Sequence, residues 1–234
     1  PNHDMELKKL KFFKNWDNNF FSKNKKGDIT SLFQSKIDQF KPDLITFSVW
    51  GSHLHAEGEY FSYDNGLKII DNVEIDPKTK IIVGGTIPSS NPNEVLKKNP
   101  IINYVIKGES ELVYLDIANA LDQNKDLNKI DNLCYINNDE LLENKLRPLI
   151  DPLDALPDVE MSMFENNSFF RPYHGNIVRM ADFELSRGCW YRCTFCLSPF
   201  QREVTYKKAK NFRREKSIKK IIREISNLKK NLKL

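Results

Sequence analysis

No apolar run in this 234-residue chain approaches the roughly 20 residues that a membrane-spanning helix needs. A mean hydropathy of -0.55 points the same way. The opening residues, PNHDMELKK, lack the apolar stretch of a secretory signal, so the expected compartment is the cytoplasm. Pro1 stands where an initiator methionine would, and the natural start is expected upstream. Neither G-x-G-x-x-G nor G-x-x-x-x-G-K-[ST] occurs, which leaves the common dinucleotide and triphosphate loops without support. Cysteine is scarce, at four residues. Three of them, Cys189, Cys193 and Cys196, are too crowded for a disulfide framework, because bridging needs particular Cα separations and gains most when it closes long loops.

What is present is ordinary for a globular chain: 40% hydrophobic and 29% charged residues, with length for one large domain or two small ones. The net charge of +4 hides an asymmetry. From Arg202 onward there are 13 Lys/Arg against 3 Asp/Glu, a balance of +10, which leaves -6 on residues 1–201. A basic end could meet a polyanion, but a solvated helix face explains it as well.

Along the chain, DITSLFQSKIDQF reads as a helix with Asp28 as N-cap and Ile29, Leu32, Phe33, Ile37 and Phe40 on one stripe. The run KPDLITFSVW reads as a buried strand between Pro42 and Gly51. Residues 59–75 read as helix, KIIVGGT as strand, 92–99 as helix, INYVIKGES as strand, and ELVYLDIANAL as an amphipathic helix. Such alternation predicts an α/β fold with an open parallel sheet covered on both faces, where ligands sit at the carboxyl ends of strands. Small residues collect at those ends: Ser48 and Gly51, Gly84 to Thr86, and Gly108 to Ser110. Tight turns account for them, and so does close approach of a large cofactor. Beyond Lys125, IDNLCYINNDELLEN reads as a hairpin around Asn137 to Asp139. Prolines at 148, 152, 157 and 172 then interrupt regular structure. The run IVRMADFELSRG reads as a strand leading into the cysteines, and SIKKIIREISNLKKNL as a helix. Cys134 stands alone and reads as a buried apolar residue.

The segment ELSRGCWYRCTFCLSPF carries C-x3-C-x2-C. Three thiolates on one short loop can each take a corner of an iron–sulfur cube, and three ligands for four irons leave one iron open to substrate. Arg187 and Arg192 flank the thiols and would offset negative charge. Zinc is the competing metal, but it needs a fourth ligand. His174 and Cys134 are the nearest candidates, and neither has paired spacing.

The run CWYRCTFC, with Phe195 as its aromatic, resembles the signature of the radical S-adenosylmethionine superfamily, and SRGCWYRCTFC after a strand is similar to its cobalamin-binding branch. PDLITFSV, IIVGGT and VIKGES resemble the strand ends of that branch's corrinoid domain, and ENKLRPLIDPLDALP echoes its N-x-x-x-x-R-P...DLD-x-LP pattern. The resemblance implies a Rossmann-like (flavodoxin-like) cobalamin-binding domain over 1–125, a hairpin and proline-rich linker over 126–179, and the first βα unit of a radical (β/α) barrel over 180–234. It implies that Cys189, Cys193 and Cys196 ligate a [4Fe-4S] cluster whose open iron chelates S-adenosylmethionine, with Phe195 near the adenine. Reductive cleavage would yield methionine and a 5'-deoxyadenosyl radical, with methyl transfer or related radical chemistry to follow. Cobalamin contacts are carried to Ser48, Gly51, Gly84, Gly85, Thr86, Gly108 and Glu109.

An electron donor such as flavodoxin or ferredoxin is implied as a partner, and neither a membrane nor a nucleic acid is. The D-x-H-x-x-G motif that supplies a lower cobalt ligand in many such domains is absent; His3, His53 and His55 lie in other contexts. A full barrel takes about 250 residues, so the 55 from Met180 onward are expected to be an N-terminal part of a longer enzyme. A transfer-RNA methylthiotransferase shares the signature but brings three more cysteines, which this chain lacks. A non-catalytic corrinoid-binding or regulatory module is the alternative from another class.

Overall fold

The computed structural model describes residues 29–48, 69–161 and 169–232. The chain divides into two compact units, one holding the described residues up to Ile150 together with Gly188–Arg213, the other holding Asp151–Arg187 and the chain from Arg214 on. Asp28, His3, Gly51, His53, His55 and most of the helix expected over 59–75 lie outside the described residues.

The first unit is built on one five-stranded sheet. Helix α1 (Ile29–Phe40) ends where Lys41 turns to φ 47° and donates its N–H to the Ile37 carbonyl at 2.7 Å; Pro42 then bars continuation. Strands β1 (Leu44–Ser48), β2 (Lys80–Gly84) and β3 (Tyr104–Ile106) pair in parallel, in that order. Between β2 and β3 lie α2 (Thr86–Ser90) and α3 (Pro92–Lys98). The second has Asn91 as N-cap, accepting from the Glu94 N–H at 3.3 Å, with Pro92 at its first position, where a missing N–H costs nothing. Helix α4 (Glu111–Asp122) follows β3.

Successive residues of β2 face opposite sides. Ile81 and Val83 pack with Ile37, Val95 and Leu96, whereas Ile82 packs with Val113, Ile117 and Ala120 of α4. Val105 and Ile106 of β3 divide in the same way. Both faces are therefore covered, which is why these strands read as unbroken apolar runs.

The sheet is not wholly parallel. The expected hairpin, β4 (Leu133–Asn137) and β5 (Glu140–Glu143), turns at Asn138 and Asp139, both at positive φ. It adds to β3 antiparallel, with Val105 opposite Cys134. Within the hairpin, the two-residue turn permits only antiparallel pairing, since a parallel return needs a crossover. Asn132, 2% exposed and at φ 70°, secures this edge. Its side-chain amide donates to the Lys107 carbonyl at 2.8 Å, and its oxygen accepts from the Arg147 N–H at 2.7 Å.

In the second unit, the run expected as one strand over 177–188 is split. Strand β7 (Asn176–Arg179) pairs with β6 (Phe170–Tyr173) around His174 and Gly175. Strand β8 (Ser186–Arg187) pairs instead with β9 (Arg214–Glu215). Residues 180–185 between them are irregular.

Helix α6 (Ile218–Leu232) is anchored at its start by the proline-dense stretch. Ser217 caps it, its hydroxyl oxygen accepting from the Lys220 N–H at 3.1 Å. Ser217 in turn donates its N–H (2.8 Å) and O–H (2.5 Å) to the Asp154 carboxylate. Lys220, 2% exposed, donates its ammonium to the Leu156 carbonyl and lies 3.6 Å from Asp158 and Glu224. Arg223 makes two bonds to Asp158, at 2.8 and 3.1 Å. Among the described residues, no helix is long and apolar enough to cross a membrane.

The bonds from Ser217 hold the Asp154 carboxyl below the usual range, and the bond from Arg223 does so for Asp158. A carboxyl with a depressed folded-state pKa contributes stability above its unfolded pKa and loses it as pH falls through the folded one. Urea unfolding at falling pH should therefore show stability declining below about pH 4. Ser217→Ala should cost about 1 kcal/mol at pH 7 and flatten that acid limb; an unchanged limb would remove Asp154 as its source.

Candidate functional site at the cysteine loop

The loop begins at a constraint that only glycine meets. Gly188 has φ 82°, and a Cβ placed on it would lie 2.0 Å from the Phe212 carbonyl oxygen and 3.1 Å from the Arg213 Cα. The two ends of the excursion Gly188–Arg213 thus touch backbone to backbone, with no room for a side chain. Between them lie all three clustered cysteines. Cys189 is half-buried, Cys193 and Cys196 are exposed, and all three are free thiols. The Cys196 N–H donates to the Cys193 carbonyl at 3.2 Å, and the Ser198 N–H points at the Cys196 sulfur at 3.4 Å, opening α5 (Leu197–Phe200). A π-helical turn, Gln201–Thr205, follows directly. Phe195 is 86% exposed, and Trp190 and Tyr191 are also open to solvent.

Charge on this excursion is one-sided, with six basic residues and Glu203 as its single acid. Arg202 is largely buried and donates to the carbonyls of Trp190 (3.0 Å) and Cys189 (3.4 Å). It also pairs with Glu203 at 3.0 Å, and the exposed Arg192 reaches Glu203 at 3.6 Å. Arg187 is paired with Glu184 at 3.0 Å.

The cysteine excursion packs on the carboxyl ends of the strands. α5 and the π turn lie against α2, which starts where β2 ends. Tyr206 reaches the end of β3: its hydroxyl oxygen accepts the Glu109 N–H at 3.0 Å. A Cβ on Gly108 (φ 90°) would meet that oxygen at 2.5 Å. The structure therefore brings Gly84, Gly85, Thr86, Gly108 and Glu109 to the edge that carries the thiol loop. Ser48 belongs to the same edge, opposite Gly84 in register. Gly51 lies outside the described residues.

These residues have distinct surroundings. Gly85 holds φ 112°, ψ -178° just before α2, a conformation that is essentially glycine's alone. A Cβ on Gly84 would make only ordinary contacts, the nearest being the Tyr114 hydroxyl at 3.7 Å. The Glu109 carboxylate accepts the Ile150 N–H at 2.7 Å. Ser89 donates to the Ile106 carbonyl at 3.2 Å and accepts from the Gly108 N–H at 3.0 Å, which closes the turn after β3.

Cys134 is elsewhere, 1% exposed within the sheet core. Burial foremost, then the charge of Glu143, pushes its thiol up to about 12. His174, the other zinc candidate, sits in the β6–β7 turn against Tyr173. Among the described residues, no three His, Cys, Asp or Glu side chains are grouped to hold a single ion. The donor set still suits an iron–sulfur cluster. It consists of three soft thiols on an exposed loop, with an N–H already directed at one sulfur and a surplus of positive charge to balance an anionic group.

No family model matches the chain. It is 27% identical over 192 residues to an uncharacterized methyltransferase of Pyrococcus horikoshii, covering 82% of this chain and 38% of that protein. It is 26% identical over 121 residues to the anaerobic magnesium-protoporphyrin IX monomethyl ester cyclase of Synechocystis, covering 51% of this chain and 23% of that one. Among solved structures, the radical S-adenosylmethionine methyltransferase TsrM of Kitasatospora setae, with cobalamin and a [4Fe-4S] cluster bound, superposes with a TM-score of 0.57 at 16% identity, over 90% of this chain and 39% of that chain.

The fold is similar to that of the matching part of cobalamin-dependent radical S-adenosylmethionine enzymes. A second such enzyme, OxsB with aqua-cobalamin and S-adenosylmethionine bound, gives a TM-score of 0.54 at 19% identity over 88% of this chain and 26% of that one. The chain spans well under half the length of each of these proteins. Neither Gly188 nor the pair Arg202 and Tyr206 stands out in the sequence. The positive φ and the backbone approach at Gly188, and the two bonding partners of the others, are properties of the folded chain.

Two outcomes follow from this geometry. Native-state alkylation of the metal-free protein should modify Cys189, Cys193 and Cys196 but not Cys134 until it unfolds, as peptide mass spectrometry would reveal. Gly188→Ala should cost about 2 kcal/mol or more through strain and backbone overlap, read as a lowered urea midpoint; a wild-type midpoint would mean that Phe212 yields freely.

Proposed function

We propose that this chain is the cofactor-bearing part of a cobalamin-dependent radical S-adenosylmethionine enzyme that transfers a methyl group or carries out related radical chemistry. The observation that carries the reading is the packing of the thiol loop on the strand ends where small residues collect. That packing brings the candidate cluster ligands and the candidate corrinoid edge into one unit. In this reading Cys189, Cys193 and Cys196 would hold a [4Fe-4S] cluster. When bound, that group would supply the electron for reductive cleavage of S-adenosylmethionine.

The chain's own residues have narrower tasks. Three ligands leave one corner open for chelation by the amino and carboxylate groups of S-adenosylmethionine, and the exposed ring of Phe195 offers a face to the adenine. Arg202 fixes the successive carbonyls of Cys189 and Trp190. Ser48, Gly84, Gly85, Thr86, Gly108 and Glu109, with Gly51 beyond β1, would face the corrinoid, where bare backbone permits close approach. In domain terms, residues 1–125 would form the corrinoid-binding domain, 126–179 the hairpin and linker, and 180–234 the opening βα unit of the barrel. An acidic one-electron carrier of the flavodoxin or ferredoxin class would be the reductant's source.

Anaerobic reconstitution should load about four iron and four sulfide per chain, and Cys193→Ala should abolish both. Zinc bound in place of iron would overturn the reading. Cobalamin should be retained by the wild-type protein on gel filtration; its complete loss would leave the cluster assignment but end the corrinoid one.

A further inference from the structure

The turn that follows the cysteines is held at both ends by side chains that bond to parts of the chain distant in sequence. At one end, the Arg202 guanidinium spans the carbonyls of Cys189 and Trp190 and rests on Glu203. At the other, the Tyr206 hydroxyl takes the Glu109 N–H and fills the space that Gly108 leaves by having no side chain. Its ring lies 6.1 Å from that of Phe212, whose backbone closes the excursion on Gly188. The backbone joining them is π-helical, with the Tyr206 N–H donating to the Gln201 carbonyl at 2.8 Å, five residues back. Such turns are uncommon and concentrate at functional sites.

We propose that Arg202 and Tyr206 are a pair of positioning residues that brace the thiol loop against the carboxyl edge of the sheet. Neither touches a reacting atom. Arg202 sets the conformation of the loop's first turn, beside Cys189, while Tyr206 fixes where the loop sits relative to the turn after β3. A guanidinium is suited to the first task because its Nη1 can give a hydrogen to each of the two carbonyls while Nε holds Glu203. A tyrosine suits the second because a rigid ring can carry one hydroxyl across a packed contact. On the cofactor assignment proposed above, on which this part rests, the brace sets the separation between the cluster and the corrinoid.

Hydrogen exchange on the metal-free full chain tests the brace without any cofactor. Tyr206→Phe should speed exchange of the Glu109 amide about fivefold, as expected for the loss of one neutral hydrogen bond. Arg202→Gln should speed exchange of the Cys196 amide, the loop N–H that bonds the Cys193 carbonyl, about tenfold, the scale of a charge-assisted bond, and Arg202→Lys should recover only part of it. Amides of β2 and β3 should stay at wild-type rates in all three. Unchanged exchange at both sites overturns the proposal, and so does acceleration that extends into β2 and β3, since it would make the two residues ordinary core supports.

A second readout uses the protein loaded with both groups. Power saturation of the cob(II)alamin electron-spin signal, with the cluster reduced and oxidised, reports their magnetic coupling. In Tyr206→Phe the coupling should change while iron and cobalamin content stay at wild-type levels; equal coupling at equal content overturns the distance-setting role. A wild-type protein that takes up neither group would refute the proposed function and leave the exchange result to judge the brace.

Discussion

The contact between the Gly188 backbone and the Phe212–Arg213 peptide is the constraint on which the candidate site depends. A 26-residue excursion from Gly188 to Arg213 has a closure cost that grows only slowly with its length, but its ends must meet somewhere fixed. They meet where a carbonyl oxygen occupies the place of a side chain. In sequence, the excursion is flanked by β8 and β9, which pair with each other. Everything chemical on the loop, from Cys189 to Tyr206, is measured from that point.

A second layer of constraint comes from the sheet. Its doubly covered strands form a core that fixes the ends of β2 and β3. Glycines at those ends then serve different physical purposes. Gly85 supplies a backbone conformation, Gly108 supplies space for a tyrosine, and Gly84 supplies neither, since a methyl group would fit there. Three glycines in similar sequence settings thus differ in what replacing them would do, and Gly84 is the one whose presence packing leaves unexplained.

Much of this was legible in the amino-acid order. The runs Ile81–Val83 and Tyr104–Ile106 announce strands buried on both faces, and Asn138–Asp139 announces the turn of a hairpin. The three crowded thiols stand apart from Cys134, which the core encloses. What resisted reading depended on contacts distant in sequence. Nothing local tells Gly188 from a turn glycine, because its reason is a carbonyl 24 positions away. Asp154 lies in a stretch that local signals make irregular, yet its carboxylate is the acceptor for both donors of Ser217, 63 residues on. The split of 177–188 into two strands was equally hidden, since an apolar alternation does not say which partner each half will find.

The π turn has a bearing on how this stretch tolerates change in length. One residue more than an α-helical turn would use lies between Gln201 and Tyr206. Deleting any one of them would let an α-helical turn close on the same Gln201 carbonyl, four steps of about 100° returning the tyrosine ring close to its present angle, still at the gap beside Gly108. Substitutions along the turn leave that angle untouched. The bearing of the tyrosine is thus held by the bond to the Gln201 carbonyl more tightly than by the number of residues between them.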